Sequence, residues 1–201
     1  MRNLPLALSL LAASVAAPFV VSAQTPGAPA PAFTLTDTSG KTVQLADYRG
    51  KYVVLEWTNP ECPFVRKHYS SGNMQGLQKE WGAREVVWLS INSTNARNSE
   101  FKTPAQMAQW MQAQGAAQTA TLVDGTSATG RTYAARATPH MFVIDPSGTV
   151  VYNGAIDDRR TANPADAKPA RTYVRAALTE AMAGKPVTVA STSPYGCSIG
   201  Y

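Results

Sequence analysis

Apolar residues in this chain come in short bursts separated by polar, glycine- and proline-bearing stretches. Two bursts are nearly continuous, Tyr52 to Trp57 (YVVLEW) and Glu85 to Ile91 (EVVWLSI). Runs of this kind suit strands covered on both faces. Ahead of them, apolar and polar positions alternate over Phe33 to Leu35 and Lys41 to Leu45 around Ser39-Gly40, which predicts a β-hairpin. Asp47 to Lys51 is a polar connection, and Asn59-Pro60 stops the first buried strand. A helix is predicted from Cys62 to about Ser70, with Pro63 in the first turn, where its missing N–H costs nothing. Gly72 interrupts the helix, which resumes to Trp81.

The second half continues the pattern. Asn92 to Lys102 is a polar loop, and Thr103-Pro104 then caps a helix with Met107, Trp110 and Met111 on one face. Thr121 to Val123 reads as a short strand and Ser127 to Ala135 as a short helix. His140 to Ile144 and Thr149 to Tyr152 flank Asp145-Pro146-Ser147-Gly148, a second hairpin. The last helix runs from Arg171 to Ala183, stopped by Gly184 and Pro186. The order is β-α-β, a helical crossover, then β-β-α, with a hairpin in front. Strand–helix alternation implies parallel pairing and the closing hairpin adds antiparallel strands, so the expected class is α/β with a mixed sheet.

The ends of the chain read differently. Arg2, an apolar stretch from Leu4 to Val21 and the small-residue exit Val21-Ser22-Ala23 form a secretory signal over residues 1–23. Pro5, Pro18 and the cleavage site argue against a retained anchor. Residues 24–32 read as a Pro/Ala linker, residues 33–186 as the folded domain, and residues 187–201 as an irregular tail carrying the second cysteine. The expected location is periplasmic or secreted, with no stable membrane association after cleavage.

Composition narrows the chemistry. A hydrophobic fraction of 44% against 15% charged residues excludes a disordered chain. The net charge of +5 is scattered, with no basic run longer than Arg159-Arg160, so a nucleic-acid partner is not expected. The only cysteines are Cys62 and Cys197 and the only histidines His68 and His140, too few for a disulfide scaffold or a histidine-rich metal site. No metal and no cofactor is expected.

Cys62 falls between the end of a buried strand and the start of a helix. Ligands of open α/β sheets bind at the carboxyl ends of strands, and a helix N-terminus favours a thiolate. Arg66, one turn on, would add to that field and Glu61 would oppose it. A buried inert thiol is the plain alternative. Glu56 is a carboxylate near the end of an apolar strand; burial would raise its pKa and let it shuttle protons, while a solvated strand end would do neither. His68 lies about 240° around the helix from Cys62 and is assigned a structural place. His140 is a weaker site candidate, and the loop from Ile156 to Arg159 either rims the site or is merely solvated.

The segments YVVLEWTNPECPFVRKHY, ATPHMFVIDPSG and the terminal YGCSIGY together resemble thioredoxin-fold redoxins of the AhpC/TSA (peroxiredoxin-like) group, in particular exported bacterial members with a GCS tail. The resemblance implies a thioredoxin-like three-layer fold with a mixed sheet and an N-terminal β-hairpin extension. It implies Cys62 as redox nucleophile and Thr138-Pro139 as a cis-proline turn facing it. The chain departs from the group's patterns at Asn59, which stands where a thioredoxin has its first cysteine and a peroxiredoxin its threonine, and at Leu55, in the peroxiredoxin proline place. An Asn59 amide could still bond the sulfur or a peroxide oxygen. The implied activity is an exported thiol-dependent oxidoreductase that reduces peroxides or disulfides, with a thiol-reducing partner protein to regenerate it.

Cys197 sits in a Gly/Ser-rich tail read as mobile. It is a resolving thiol for Cys62, half of a static disulfide, or one of two unpaired thiols. The alternatives in function are a thiol–disulfide reductase or isomerase without peroxidase activity, and a non-catalytic thioredoxin-fold binding module locked by a Cys62–Cys197 bond.

Overall fold

A computed structural model describes residues 25–201. The signal reading over residues 1–23 lies outside the described residues. The strands are β1 (Thr34–Asp37), β2 (Thr42–Gln44), β3 (Val53–Trp57), β4 (Val87–Asn92), β5 (Ala120–Val123), β6 (His140–Ile144) and β7 (Val150–Gly154). The helices are α1 (Pro63–Ser70), α2 (Asn73–Gly82), α3 (Pro104–Ala113), α4 (Ala128–Thr132) and α5 (Tyr173–Met182). They form one seven-stranded mixed sheet in the order β2-β1-β5-β4-β3-β6-β7. β3, β4 and β5 pair in parallel through helical crossovers, and β6, β7 and the β1–β2 hairpin add antiparallel partners. The polar connection after β2 contains a 3-10 turn at Leu45–Tyr48.

The period-two alternation of β3 divides the core. Val53, Leu55 and Trp57 face one apolar layer, with Phe33, Leu89, Ile91, Tyr133 and Phe142. Val54 faces the other, with residues of α1, α2, α3 and α5. All five residues of β3 are buried, Glu56 included, as the nearly continuous apolar run predicts for a strand covered on both faces. The first layer holds an aromatic cluster in which Trp57 lies 5.2 Å from Tyr133 and 5.3 Å from Phe142. Such pairs add about 0.5–1.5 kcal/mol each beyond their buried area.

Local chemistry sets the helix ends. Gly72, at φ +73°, separates α1 from α2, a conformation that favours glycine. Thr103 Oγ1 accepts a hydrogen bond from the Gln106 N–H and Gln106 Oε1 accepts one from the Thr103 N–H, a capping box around Pro104.

Two segments differ from the sequence reading. The N-terminal stretch expected as a linker pairs with the start of β7 and the turn before it: the Gly27 N–H donates to the Val150 carbonyl, the Val150 N–H to the Ala28 carbonyl, and the Ala30 N–H to the Gly148 carbonyl. Ala28 is buried. The C-terminal tail, expected to be mobile, is tied down along its length. The Asn153 N–H donates to the Ala190 carbonyl, the Thr192 N–H to Asn153, and the Asn95 N–H to Gly200. Tyr195 packs with the α1 side of the core and Ile199 with the opposite layer, so the tail wraps the end of the sheet from one face to the other. The polar spacing hid this because the tail is held by single side chains spaced along it, among them Tyr195, Cys197 and Ile199, and by backbone and hydroxyl hydrogen bonds rather than by an apolar run.

Candidate functional site

Cys62 is the N-cap of α1. Its backbone is extended, its N–H donates to the Asn59 carbonyl over 3.0 Å, and Pro63 opens the helix behind it. Strand β3 ends at Trp57, so the turn 58–62 delivers the cysteine to the carboxyl end of the parallel strands, where the free N–H groups of α1 point outward. The cysteine is buried, at 1% exposure. Opposite stands Thr138–Pro139, joined by a cis peptide bond. Cys62 Sγ lies 3.0 Å from the Thr138 carbonyl oxygen, which would accept the thiol proton in the reduced protein.

Cys62 is bonded to Cys197, with Cα atoms 5.7 Å apart across 135 residues of sequence. Of the three readings of the cysteines, unpaired thiols is therefore excluded. Cys197 is partly exposed, unlike its partner. Its backbone forms a two-way bridge with Thr138: the Thr138 N–H donates to Cys197 over 2.9 Å and the Cys197 N–H returns over 3.2 Å. Gly196, at φ +130°, permits this approach, because a Cβ there would fall 2.0 Å from the Thr138 carbonyl oxygen.

The other sequence-nominated residues stand apart from the sulfur. Asn59 is buried, but its amide donates to Glu100 Oε2 over 3.2 Å and its side-chain oxygen accepts from the Glu61 N–H. It builds the turn and does not bond the sulfur. Arg66 donates to the Pro60 carbonyl and to Glu61 at 2.8 Å, on a side chain 56% exposed. Its charge is spent on Glu61 rather than on Cys62. Glu61 also meets Lys102 at 2.8 Å, and that contact, then Arg66, holds its pKa below the usual carboxylate value.

Glu56 is fully buried, not a solvated strand end, and burial raises its pKa. It accepts from Tyr69 Oη, Trp88 Nε1, Ser90 Oγ and Gln78 Nε2 at 2.8–3.4 Å. Its oxygens are filled by β4, α1 and α2, and no hydrogen bond leads from them to the thiol. Of the two readings of Glu56 the buried one holds, and its bonds tie β3 to β4, α1 and α2. His140 accepts from the Arg136 N–H at Nδ1, and burial lowers its pKa to about 3.

A second buried cluster escaped the sequence. Lys67, His68 and Asp157 are almost completely enclosed, with Lys67 Nζ 3.4 Å from Asp157 Oδ2. Tyr195 Oη donates to Asp157 Oδ1 and lies 3.3 Å from both Lys67 Nζ and His68 Nε2. Asn73 donates to His68 Nδ1 at 2.9 Å, which puts the ring proton on Nε2, facing Tyr195. Burial and the Lys67 charge lower the His68 pKa to about 3. The Tyr195 ring packs edge-on to Phe64, two residues after Cys62. Asp157 belongs to the Ile156–Arg159 loop, whose far end, Asp158 and Arg159, is exposed while Asp157 itself is buried. The missed signal was a lone aromatic in a polar tail, two positions from a cysteine. On an extended segment residues 195 and 197 face the same side, here α1. No cluster of metal-ligating residues occurs among the described residues.

The sheet order, the cysteine at a helix start and the cis-proline turn against it define a thioredoxin-like redoxin. The sequence profile of the AhpC/TSA family matches residues 26–153, and the chain belongs to that family. An uncharacterized conserved protein from Geobacillus kaustophilus superposes with a TM-score of 0.78 at 28% identity, over 89% of this chain and 93% of that one. A hypothetical protein from Sinorhizobium meliloti 1021 gives 0.76 at 24% identity, over 88% and 94%. The thioredoxin domain of a thiol-disulfide oxidoreductase from Bacteroides vulgatus shares the fold at 20% identity and TM-score 0.52, over 64% of this chain and 87% of its own. A comparison with curated proteins returns no match.

Proposed function

We propose that the protein is an exported thiol-dependent oxidoreductase in which Cys62 and Cys197 form the redox pair. The observation that carries this is the Cys62–Cys197 disulfide, closed at the start of α1 against Thr138–Pro139. A thiolate at a helix N-terminus is stabilised, so Cys62 serves both as attacking group and as leaving group. Disulfides are favoured over peroxides as substrates. No side-chain donor among the described residues bonds the sulfur, and the Asn59 amide, the nearest candidate to polarise a peroxide by sequence, donates to Glu100. The Thr138 edge, paired with Cys197 here, offers the N–H and C=O that an extended cysteine-bearing peptide would take up.

The cycle balances as two exchanges. Cys62 thiolate attacks a substrate disulfide, forming a mixed disulfide and expelling one substrate thiolate. Cys197 thiolate then attacks Cys62 Sγ, closing the internal disulfide and expelling the second. The substrate gains two electrons and the protein dithiol loses them; a thiol reductant restores it. With a peroxide, Cys62 would become a sulfenic acid and Cys197 would displace water from it.

A second reading is favoured by the docked tail: a static disulfide that locks a binding module. Mixing reduced protein with a cysteine-disulfide peptide, and separately with hydrogen peroxide, tests all three. The proposal expects one equivalent of peptide thiol released per protein in the first stage, a trapped mixed disulfide in Cys197→Ser, and slower reaction with peroxide. Faster peroxide consumption through Cys62 would transfer the assignment to a peroxidase. Inert thiols in both assays would leave the binding module.

A further inference from the structure

The proposed cycle needs a reductant that reaches the closed disulfide, and the surface around the disulfide constrains what that reductant is. Cys62 is buried, so the approachable sulfur is that of Cys197. Beside it opens a groove of about 360 Å³ lined by Arg136, Ala137, Arg160, Ser193, Pro194, Tyr195 and Gly196. Gly196 precedes Cys197, and Ala137 precedes Thr138, whose backbone pairs with Cys197. The groove therefore comes within one residue of that bridge on each of its two segments.

The charges in the groove are unspent. Ten arginines lie within the described residues. Arg66, Arg159 and Arg175 contact carboxylates, Arg49 bonds the Ser147 carbonyl, and Arg84, Arg131 and Arg171 stand over aromatic rings. That leaves Arg97, Arg136 and Arg160 without a hydrogen bond, ion pair or ring contact for the guanidinium, and two of these three line this one groove. The anions nearby are occupied. Asp157 is shared by Lys67 and Tyr195, and Asp158 accepts from the Arg171 N–H and meets Arg159 at 3.7 Å. A guanidinium presents a planar fork of donors matched to a carboxylate.

We propose that the Arg136–Arg160 groove is a subsite for a small thiol bearing a carboxylate, which reduces the Cys62–Cys197 disulfide. The inference rests on the redox reading of that pair and names the chemical class of its reductant. The thiolate attacks Cys197 Sγ, forming a mixed disulfide at Cys197 and releasing Cys62 as thiolate into the N-terminal field of α1. A second molecule of the thiol attacks the bound sulfur, leaves as the oxidised dimer and frees Cys197. Two reductant thiols are oxidised and one protein disulfide is reduced.

Three thiols of one small size and different charge test it: 3-mercaptopropionate, 2-mercaptoethanol and cysteamine. Opening of the disulfide in the folded full chain is followed by acid quench, alkylation and mass spectrometry, with each rate divided by the thiolate fraction present. Two exposed guanidiniums a few ångströms from a carboxylate should favour the anionic thiol about three- to tenfold over the neutral one at low salt. Cysteamine should be slowest, and the spread should shrink at high salt. In Arg136→Gln/Arg160→Gln the three rates should converge, and Arg160→Glu should move the preference toward cysteamine. Charge-independent rates in the wild type, or a preference that survives both variants, overturn the subsite and leave the redox pair standing. A disulfide that none of the thiols opens while the protein stays folded overturns the redox reading and this inference with it.

Discussion

At Cys62 the backbone conformation is set by adjacent residues, while the side chains around it find their partners on distant segments. A strand end, Asn-Pro and a proline one residue past the cysteine place Cys62 at a helix start, and the structure puts it there. The partners of Asn59, Arg66 and Glu56 come from other segments, and local spacing carries no signal for them. Glu100 lies 41 residues from Asn59, and Ser90 lies 34 from Glu56. Removing the turn bonds in Asn59→Ala should cost about 1 kcal/mol of stability by chemical denaturation and leave the oxidation rate of Cys62 as it was. A slowed oxidation would return Asn59 to the sulfur. The histidines give a pH signature. Both are held neutral in the fold, with pKa values lowered to about 3, while in the unfolded chain they titrate near 6.5. Between those values the unfolded state binds more protons, so stability falls as pH drops from about 6.5 toward 3, by about 1 kcal/mol per unit for each histidine. Glu56 acts in the opposite sense, because its raised pKa favours the folded state at low pH. Urea unfolding at pH 7 and pH 5 should show the loss, and His140→Gln should remove about half of it. A flat profile would mean the rings take up protons in the fold.

The elements carried more of their own information. Every strand and helix expected from the apolar pattern is present within a few residues, because each has an unbroken run, a period or a cap that acts locally. The tail is the exception, since its docking depends on isolated side chains and on Cys197. Tyr195 is the strongest of these anchors, with its hydroxyl inside the Lys67–Asp157 pair. Tyr195→Phe keeps the packing on Phe64 and deletes that bond to a buried carboxylate. It should cost about 1.5–3 kcal/mol, the range for hydrogen bonds to charged groups. Attack of Cys197 on a mixed disulfide at Cys62 should slow, so that intermediate should accumulate and be visible by mass. Gly196→Ala should act more severely, because its Cβ would meet the Thr138 carbonyl and lift the tail from the bridge. Rapid labelling of Cys197 in the reduced variant checks this. Unchanged closure in both variants would mean the tail is held by the disulfide alone.

At the scale of the whole molecule, the sheet brings together what the sequence keeps apart. Cys62 follows the interior strand β3, Thr138 and Pro139 precede its antiparallel neighbour β6, and Cys197 returns along the end of the sheet after α5. Strand–helix alternation made the mixed sheet legible, but the meeting of these three segments is a product of strand order, which local patterns do not encode. The same wrapping makes the disulfide ambiguous: it seals a tail that is already docked, and it occupies the place where a redox pair would work. Equilibrating the folded protein in graded mixtures of reduced and oxidised dithiothreitol, then quenching with acid and counting alkylated cysteines, separates the two directly. The account predicts a single reversible transition in which Cys62 and Cys197 open and close together while the far-ultraviolet circular dichroism stays native. A disulfide that opens only in step with loss of that signal would contradict it and make the bond a structural clasp.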